Sequence, residues 1–97
     1  MTRAVFHPEA ESEMLASARW YEERCAGLGA AFLSEVEAAI GRISATPDAW
    51  AIVSDQIRRY RLHRFPFAVL YRPEPDRIYI LAVMHLHREP GYWEHRR

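Results

Sequence analysis

The sequence predicts an α+β fold of order β-α-α-β-β-β, with a helical hairpin packed on a mostly antiparallel sheet. Three observations predict it. Two segments in the first half carry apolar residues at helical spacing, separated only by Gly27-Leu28-Gly29. The region from Ile57 to Leu86 falls into three strand-like runs with alternating character. Pro73-Glu74-Pro75-Asp76 supplies turn chemistry between the last two runs, which makes them an antiparallel hairpin.

Each element has its own warrant. Thr2 to Phe6 reads as a short strand, stopped by His7-Pro8. Pro8 then opens a helix, because proline at the first helical position loses no intrahelical hydrogen bond. Glu9, Glu11 and Glu13 follow where negative charge meets the positive end of the helix dipole. Ala10, Met14, Ala18, Tyr21 and Cys25 mark its apolar face, widened by Leu15, and the two glycines end it. A second helix runs from about Ala30 to Ala45, with Phe32, Leu33, Val36, Ala39, Ile40 and Ile43 on one side and Thr46-Pro47 as its stop. A three-residue connection folds the helices back on each other. Residues 47–56 read as loop. Strands then cover Ile57 to Arg64, Phe67 to Arg72 and Arg77 to Leu86.

Strand alternation assigns the faces. Tyr60 and Leu62 should meet the helices, leaving Arg59, Arg61 and His63 on the other side. In the last strand Ile78, Ile80, Ala82, Met84 and Leu86 share one face, and Tyr79, Leu81, Val83, His85 and His87 the other. A strand apolar on both faces belongs in the sheet interior. The expected core is Met14, Leu15, Ala18, Phe32, Val36 and Ile40 against Tyr60, Leu62, Ile78, Ile80 and Ala82.

With 97 residues, residues 1–97 form a single domain with a core just large enough to sustain itself. A hydrophobic content of 49% argues against disorder. The net charge is zero, and all 13 basic residues are arginine. Only Arg3, Arg19, Arg24 and Arg42 precede residue 57, so the sheet half is basic and the helical half acidic. Cys25 stands alone, on the apolar stripe, which excludes an internal disulfide and suits the cytoplasm. MTRAVFHPEAE lacks the apolar stretch of a signal peptide, and no apolar run approaches the ~20 residues that span a bilayer. A glycine-rich phosphate loop, a nucleophile elbow and zinc-finger spacing are all missing, so the sequence implies no cofactor.

Chemistry concentrates after residue 57. Arg59, Arg61 and His63, about 6–7 Å apart along a strand, suit a phosphate backbone or are a solvated face. His85 and His87 have no third ligand at metal-binding spacing. Beside Arg88 they could do acid–base work on a ribose and phosphate, or hydrogen-bond the tail. Tyr92 and Trp93 either anchor the tail or stack on a base. Trp20 and Tyr21 read as core or partner-facing aromatics.

Five segments together resemble the RelE/ParE family of small bacterial toxins, in its ParE-like, plasmid-stabilisation branch. They are FHPEAESE from Phe6, WYEER from Trp20, GLGAAFLSEVEAAI from Gly27, IRRYRLHRFPFAVLY from Ile57 and AVMHLHREPGYWEHR from Ala82. The resemblance spans nearly the whole chain and agrees with the derived element order. It implies a toxin of a type II toxin-antitoxin system, with a cognate antitoxin encoded next door that wraps and inhibits it. Trp20 and Tyr21 become antitoxin-binding residues, beside an apolar groove along the helical hairpin. ParE-like members inhibit DNA gyrase; in that reading Arg59, Arg61, Arg64, Arg88, Tyr92 and Trp93 bind the target and no residue is catalytic. RelE-like members cleave mRNA on the ribosome; His85, His87, Arg61, Arg88 and Tyr92 would then carry catalysis. Zero net charge and the lack of lysine count against a ribosomal target, since such binding rests on phosphate neutralisation. A third reading is a non-toxic module that keeps only the antitoxin interface.

Overall fold

The computed structural model describes residues 3–97. Strand β1 (Arg3–Phe6) leads into helices α1 (Pro8–Arg24) and α2 (Leu28–Ala45). Strands β2 (Ala51–Ser54), β3 (Ile57–Arg61), β4 (Phe67–Pro73) and β5 (Arg77–His85) follow, and a short 3-10 turn at Glu94–Arg96 ends the chain. The sheet order is β1-β5-β4-β3-β2; β1 runs parallel to β5 and every other pair is antiparallel. The α+β architecture and the helical hairpin on a mostly antiparallel sheet are as the sequence predicts. Thr2, expected in the first strand, lies outside the described residues.

The helix entry works as its residues suggest. Pro8 occupies the first turn, and the His7 ring accepts a hydrogen bond from the Glu9 amide at 3.0 Å through Nδ1, capping the helix. The connection to α2 differs in detail. Gly27 takes a left-handed φ of 88°, but α2 already starts at Leu28, so Gly29 sits inside the helix. The Glu22 carboxylate reaches across from α1 to accept from the amides of Gly27 and Gly29, at 2.9 and 3.0 Å. Those two bonds, Gly27's first, hold its carboxyl below the ordinary carboxylate value.

Gly29 is glycine because α1 passes too close for anything larger. A Cβ there would stand 2.5 Å from the Ala18 carbonyl oxygen and 3.0 Å from Glu22 Cβ. Gly41, in the same helix, has open space where its Cβ would be. The two therefore respond oppositely to alanine. Gly41→Ala should stabilise by roughly 0.5–1 kcal/mol, the usual entropic gain in a helix. Gly29→Ala should destabilise by about 1–3 kcal/mol, because overpacking against backbone outweighs that gain. Urea unfolding of both variants checks the pair; equal signs would contradict the close approach.

The main core lies between the helices and the sheet. Phe32, Val36, Ala39 and Ile43 of α2 and Ala10 and Ala18 of α1 pack on Tyr60, Leu62, Val69, Tyr71, Ile78 and Ile80. Met14 and Ile40 are half-buried at its edge. Leu15, expected in the core, is 46% exposed. One residue after Met14 is a 100° rotation, enough to leave the buried stripe. Cys25 likewise leaves the stripe: it is the C-cap of α1, in extended conformation, and exposed.

Three further corrections concern the sheet. Residues 51–54 form β2, an edge strand on β3, where the sequence suggested loop. The tight connection is made by Asp55, which adopts a φ of 50°, a left-handed conformation that aspartate tolerates. The strands β3 and β5 also end earlier than expected, at Arg61 and His85.

The larger correction is a bulge in β5. Tyr71 pairs with Ile80 and Leu70 with Ala82, so Leu81 is an extra residue. The side-chain phase inverts there. Ile78 and Ile80 face the helices as expected, but from then on Val83 does, while Ala82 joins a second cluster on the far face. That cluster unites Ile57, Leu70, Leu81 and Ala82 with Trp93 of the tail, flanked by Tyr79, Met84 and Tyr92.

Candidate functional site: a groove beside the helical hairpin and a basic sheet face

A groove of about 530 Å³ opens between α1 and the ends of β4 and β5. Ala16, Ser17, Trp20 and Tyr21 form its helical wall, and Pro66, Phe67, Val83 and His85 its sheet wall. Arg88, Tyr92 and Glu13 close one end. The walls follow from the fold. Tyr21 is fixed by Phe65 at 4.9 Å between ring centroids and by Phe32 at 5.5 Å. Trp20 meets Tyr21 edge-on at 5.2 Å and carries the Arg24 guanidinium 3.6 Å from its ring centroid. Trp20 is nevertheless 51% exposed, a large aromatic surface that the chain itself does not cover. His85 reaches this side only because of the bulge, and its ring packs edge-on against Phe67 at 5.1 Å.

The closed end of the groove is built by a buried ion pair. Strand β1 leaves β5 after the His7 amide bonds the Ile80 carbonyl, at 2.8 Å. Past that point the β1-side edge of β5 has no strand to pair with. Glu13 and Arg96 take its place. Glu13 Oε1 accepts from the Val83 amide at 2.8 Å, and Arg96 donates to the Leu81 carbonyl at 3.1 Å. The two side chains bond each other at 2.8 Å, and the Tyr92 hydroxyl donates to Glu13 Oε2 at 3.0 Å. Arg96 is 6% exposed. Although burial opposes it, the bond and charge of Glu13 hold its guanidinium above the ordinary value. Burial first, and then Glu13, push the Tyr92 phenol well above its ordinary range, so it stays a proton donor to Glu13.

The opposite sheet face carries the arginines. Arg59 and Arg61 are exposed there, on register with Leu70 and Ala68. Tyr60 and Leu62 face the helices, as the alternation predicts, whereas His63, expected beside Arg59 and Arg61, lies past the strand end with its ring 6.4 Å from that of Tyr60. His63 and Arg64 lie in the β3–β4 loop, both exposed, with their amides bonded to the Glu35 carboxylate at 2.5 and 2.9 Å. A carboxylate of α2 thus fixes the loop that carries them.

The structure divides the residues that the sequence grouped. His85, Arg88 and Tyr92 come together at the groove. Arg61 stands on the far face, because the bulge moves His85 away from the face it was expected to share with Arg61. His87 is exposed beyond the strand end, its ring 5.3 Å from that of His85. Trp93 is 6% exposed within the far-face cluster and so presents no surface for recognition. Tyr92 is half-buried, bonded to Glu13, with the Arg88 guanidinium 3.8 Å from its ring centroid. Trp20 and Tyr21 both line the groove. Among the described residues no three His, Cys, Asp or Glu side chains are placed to hold a metal. No helix among them is long and apolar enough to cross a membrane. Glu13 and Arg96 escaped the sequence reading. They are 83 residues apart, and each has a mundane local explanation, in the first turns of a helix and in a basic tail.

A two-layer β-α-α-β-β-β-β frame, with a helical hairpin on a five-stranded sheet, is the RelE/ParE-like fold. It is shared with a solved chain described as "Chromosomal ParDE TA system from P. aeruginosa", with a TM-score of 0.73 at 17% identity over 88% of this chain and 96% of that one. The family described as "ParE toxin of type II toxin-antitoxin system, parDE" matches residues 4–90, and the chain belongs to that family. No curated protein matches it.

Proposed function

We propose that this ParE-family toxin inhibits DNA gyrase through its basic sheet face and is neutralised by an antitoxin seated in the groove. The observation that carries the target half is the separation of Arg61 from His85 by the β5 bulge. Cleavage of RNA needs an acid–base group and a phosphate-binding cation around one reacting phosphate. Here the exposed cations Arg59 and Arg61 stand on the face opposite His85, and the Tyr92 phenol is committed to Glu13. A face of cations set apart from His85 fits recognition of a protein–DNA machine. Arg59 and Arg61 are its centre, with Arg64 at the loop. The antitoxin half is supported by the 530 Å³ groove and the half-exposed Trp20 at its mouth.

One observation favours ribosome-dependent mRNA cleavage as a second reading: His85, Arg88 and Tyr92 do converge at the groove. Induction in a host cell separates the two. The gyrase reading predicts a DNA-damage response and filamentation with intact mRNA, relieved by co-expression of the neighbouring gene product. Arrest of translation with codon-phased mRNA cuts, lost when His85 and His87 become glutamine, supports the second reading. Absence of any growth defect leaves a module that only binds antitoxin.

A further inference from the structure

We infer that the antitoxin segment in the groove carries a carboxylate, and that this carboxylate seats on Arg88 with His85 as a second donor. The inference rests on the reading of the groove as the antitoxin's seat and adds the chemistry of what enters it. Besides the phenols of Tyr21 and Tyr92, three ionisable side chains line the groove: Glu13, His85 and Arg88. Glu13 is fully engaged, by Arg96 at 2.8 Å, the Val83 amide at 2.8 Å and the Tyr92 hydroxyl at 3.0 Å. It offers neither charge nor acceptor to a newcomer.

Arg88 is different. Its guanidinium rests 3.8 Å from the Tyr92 ring centroid, and among the described residues no carboxylate lies within 4.0 Å of it. The adjacent Glu89 forms no ion pair with it. His85 adds a donor. Its Nδ1 accepts from the His87 amide at 3.0 Å, so the neutral ring carries its proton on Nε2. The groove end therefore presents a cation without a carboxylate partner among the described residues and, in that tautomer, a ring N–H. At the far end Arg24 is already held on the Trp20 ring and bonded to the Trp20 carbonyl at 3.0 Å.

The walls decide which anion fits. Ala16, Trp20, Phe67 and Val83 are apolar and supply no further cation. A nucleic-acid strand would bring several phosphates to one arginine, whereas its affinity rests on neutralising many. A peptide segment with apolar side chains along α1 and one carboxylate at the Arg88 end satisfies every group present. A planar guanidinium already fixed on an aromatic ring also suits two-point bonding to a carboxylate with little further ordering.

The test uses the full-length product of the neighbouring gene, titrated calorimetrically into the purified toxin and its variants. Trp20→Ala reports on the groove itself, and Arg88→Glu on the carboxylate. The expected result is a loss of at least about 30-fold for each, the usual scale for an interfacial charge pair or aromatic anchor. Reversal of one Asp or Glu of the partner to Arg should restore binding to Arg88→Glu while weakening binding to the wild-type toxin. Binding of Arg88→Glu within threefold of wild type, with Trp20→Ala impaired, overturns the carboxylate and leaves the groove reading standing. So does failure of every single carboxylate reversal to rescue. Unchanged affinity in both variants overturns the groove reading and this inference with it.

Discussion

Replacing Phe32 by alanine should unfold most of the margin on which this small protein stands. Phe32 is fully buried, and its ring meets Phe67 at 4.9 Å, Phe65 at 5.2 Å and Tyr21 at 5.5 Å. Truncation of such a side chain costs about 3–5 kcal/mol, the lost transfer energy plus the cavity left behind. For a chain of this length that corresponds to a fall in melting temperature of more than about 12 °C. Small natural domains hold only about 5–15 kcal/mol in total, so the variant approaches the unfolding limit. Function should suffer before folding fails, because two of the rings that Phe32 supports, Tyr21 and Phe67, are walls of the groove. Antitoxin binding should therefore weaken even at temperatures where the variant is folded. A melting temperature unchanged from wild type would contradict the packing described here.

Removal of Arg96 should be comparably severe, although it lies one residue from the end of the chain. Arg96→Ala leaves the Glu13 carboxylate in a half-buried site without its cation and strips the Leu81 carbonyl of its donor. Breaking one partner out of a buried pair costs about 3–5 kcal/mol, mostly the penalty of the stranded charge. Glu13→Gln alone strands the guanidinium instead. The double variant should cost less than the sum of the two singles, since neither charge is then left alone. Urea unfolding of the four proteins gives the coupling. Strict additivity, or a loss under 1 kcal/mol for Arg96→Ala, would mean that the tail is merely adjacent to β5 and does not complete its edge.

The elements that were legible in the sequence were those whose signals agree locally. His7-Pro8 followed by glutamates starts a helix by its chemistry alone, and Tyr60-Arg61-Leu62 alternates cleanly enough to fix both faces of β3. The rest was hidden for identifiable reasons. Residues 51–54 have three apolar residues without alternation, and their strand exists only because Asp55 turns them onto β3. The last strand is apolar on both faces, so nothing in Ile78-Tyr79-Ile80-Leu81-Ala82-Val83 marks where its phase inverts. That ambiguity moved Ala82 to the wrong side and placed His85 with Arg61. Trp20 was recognisable as an aromatic beyond the needs of one helix face, and it does line the groove. Glu13 and Arg96 could not be found by pattern, because their partnership arises from the topology: β1 stops short, and two charged side chains finish its hydrogen bonding.

The fold thus keeps two surfaces apart, an apolar groove over the helices and a basic face behind the sheet. In the proposed function toxicity resides in the second and needs no general base. Supercoiling by purified gyrase in the presence of the purified toxin tests this directly, with two double variants beside the wild type. Wild type and the His85→Gln/His87→Gln double variant should inhibit supercoiling alike, whereas Arg59→Glu/Arg61→Glu should not inhibit. Full supercoiling in the presence of wild-type toxin, together with mRNA cleavage on ribosomes that disappears in the histidine variant, would contradict the account.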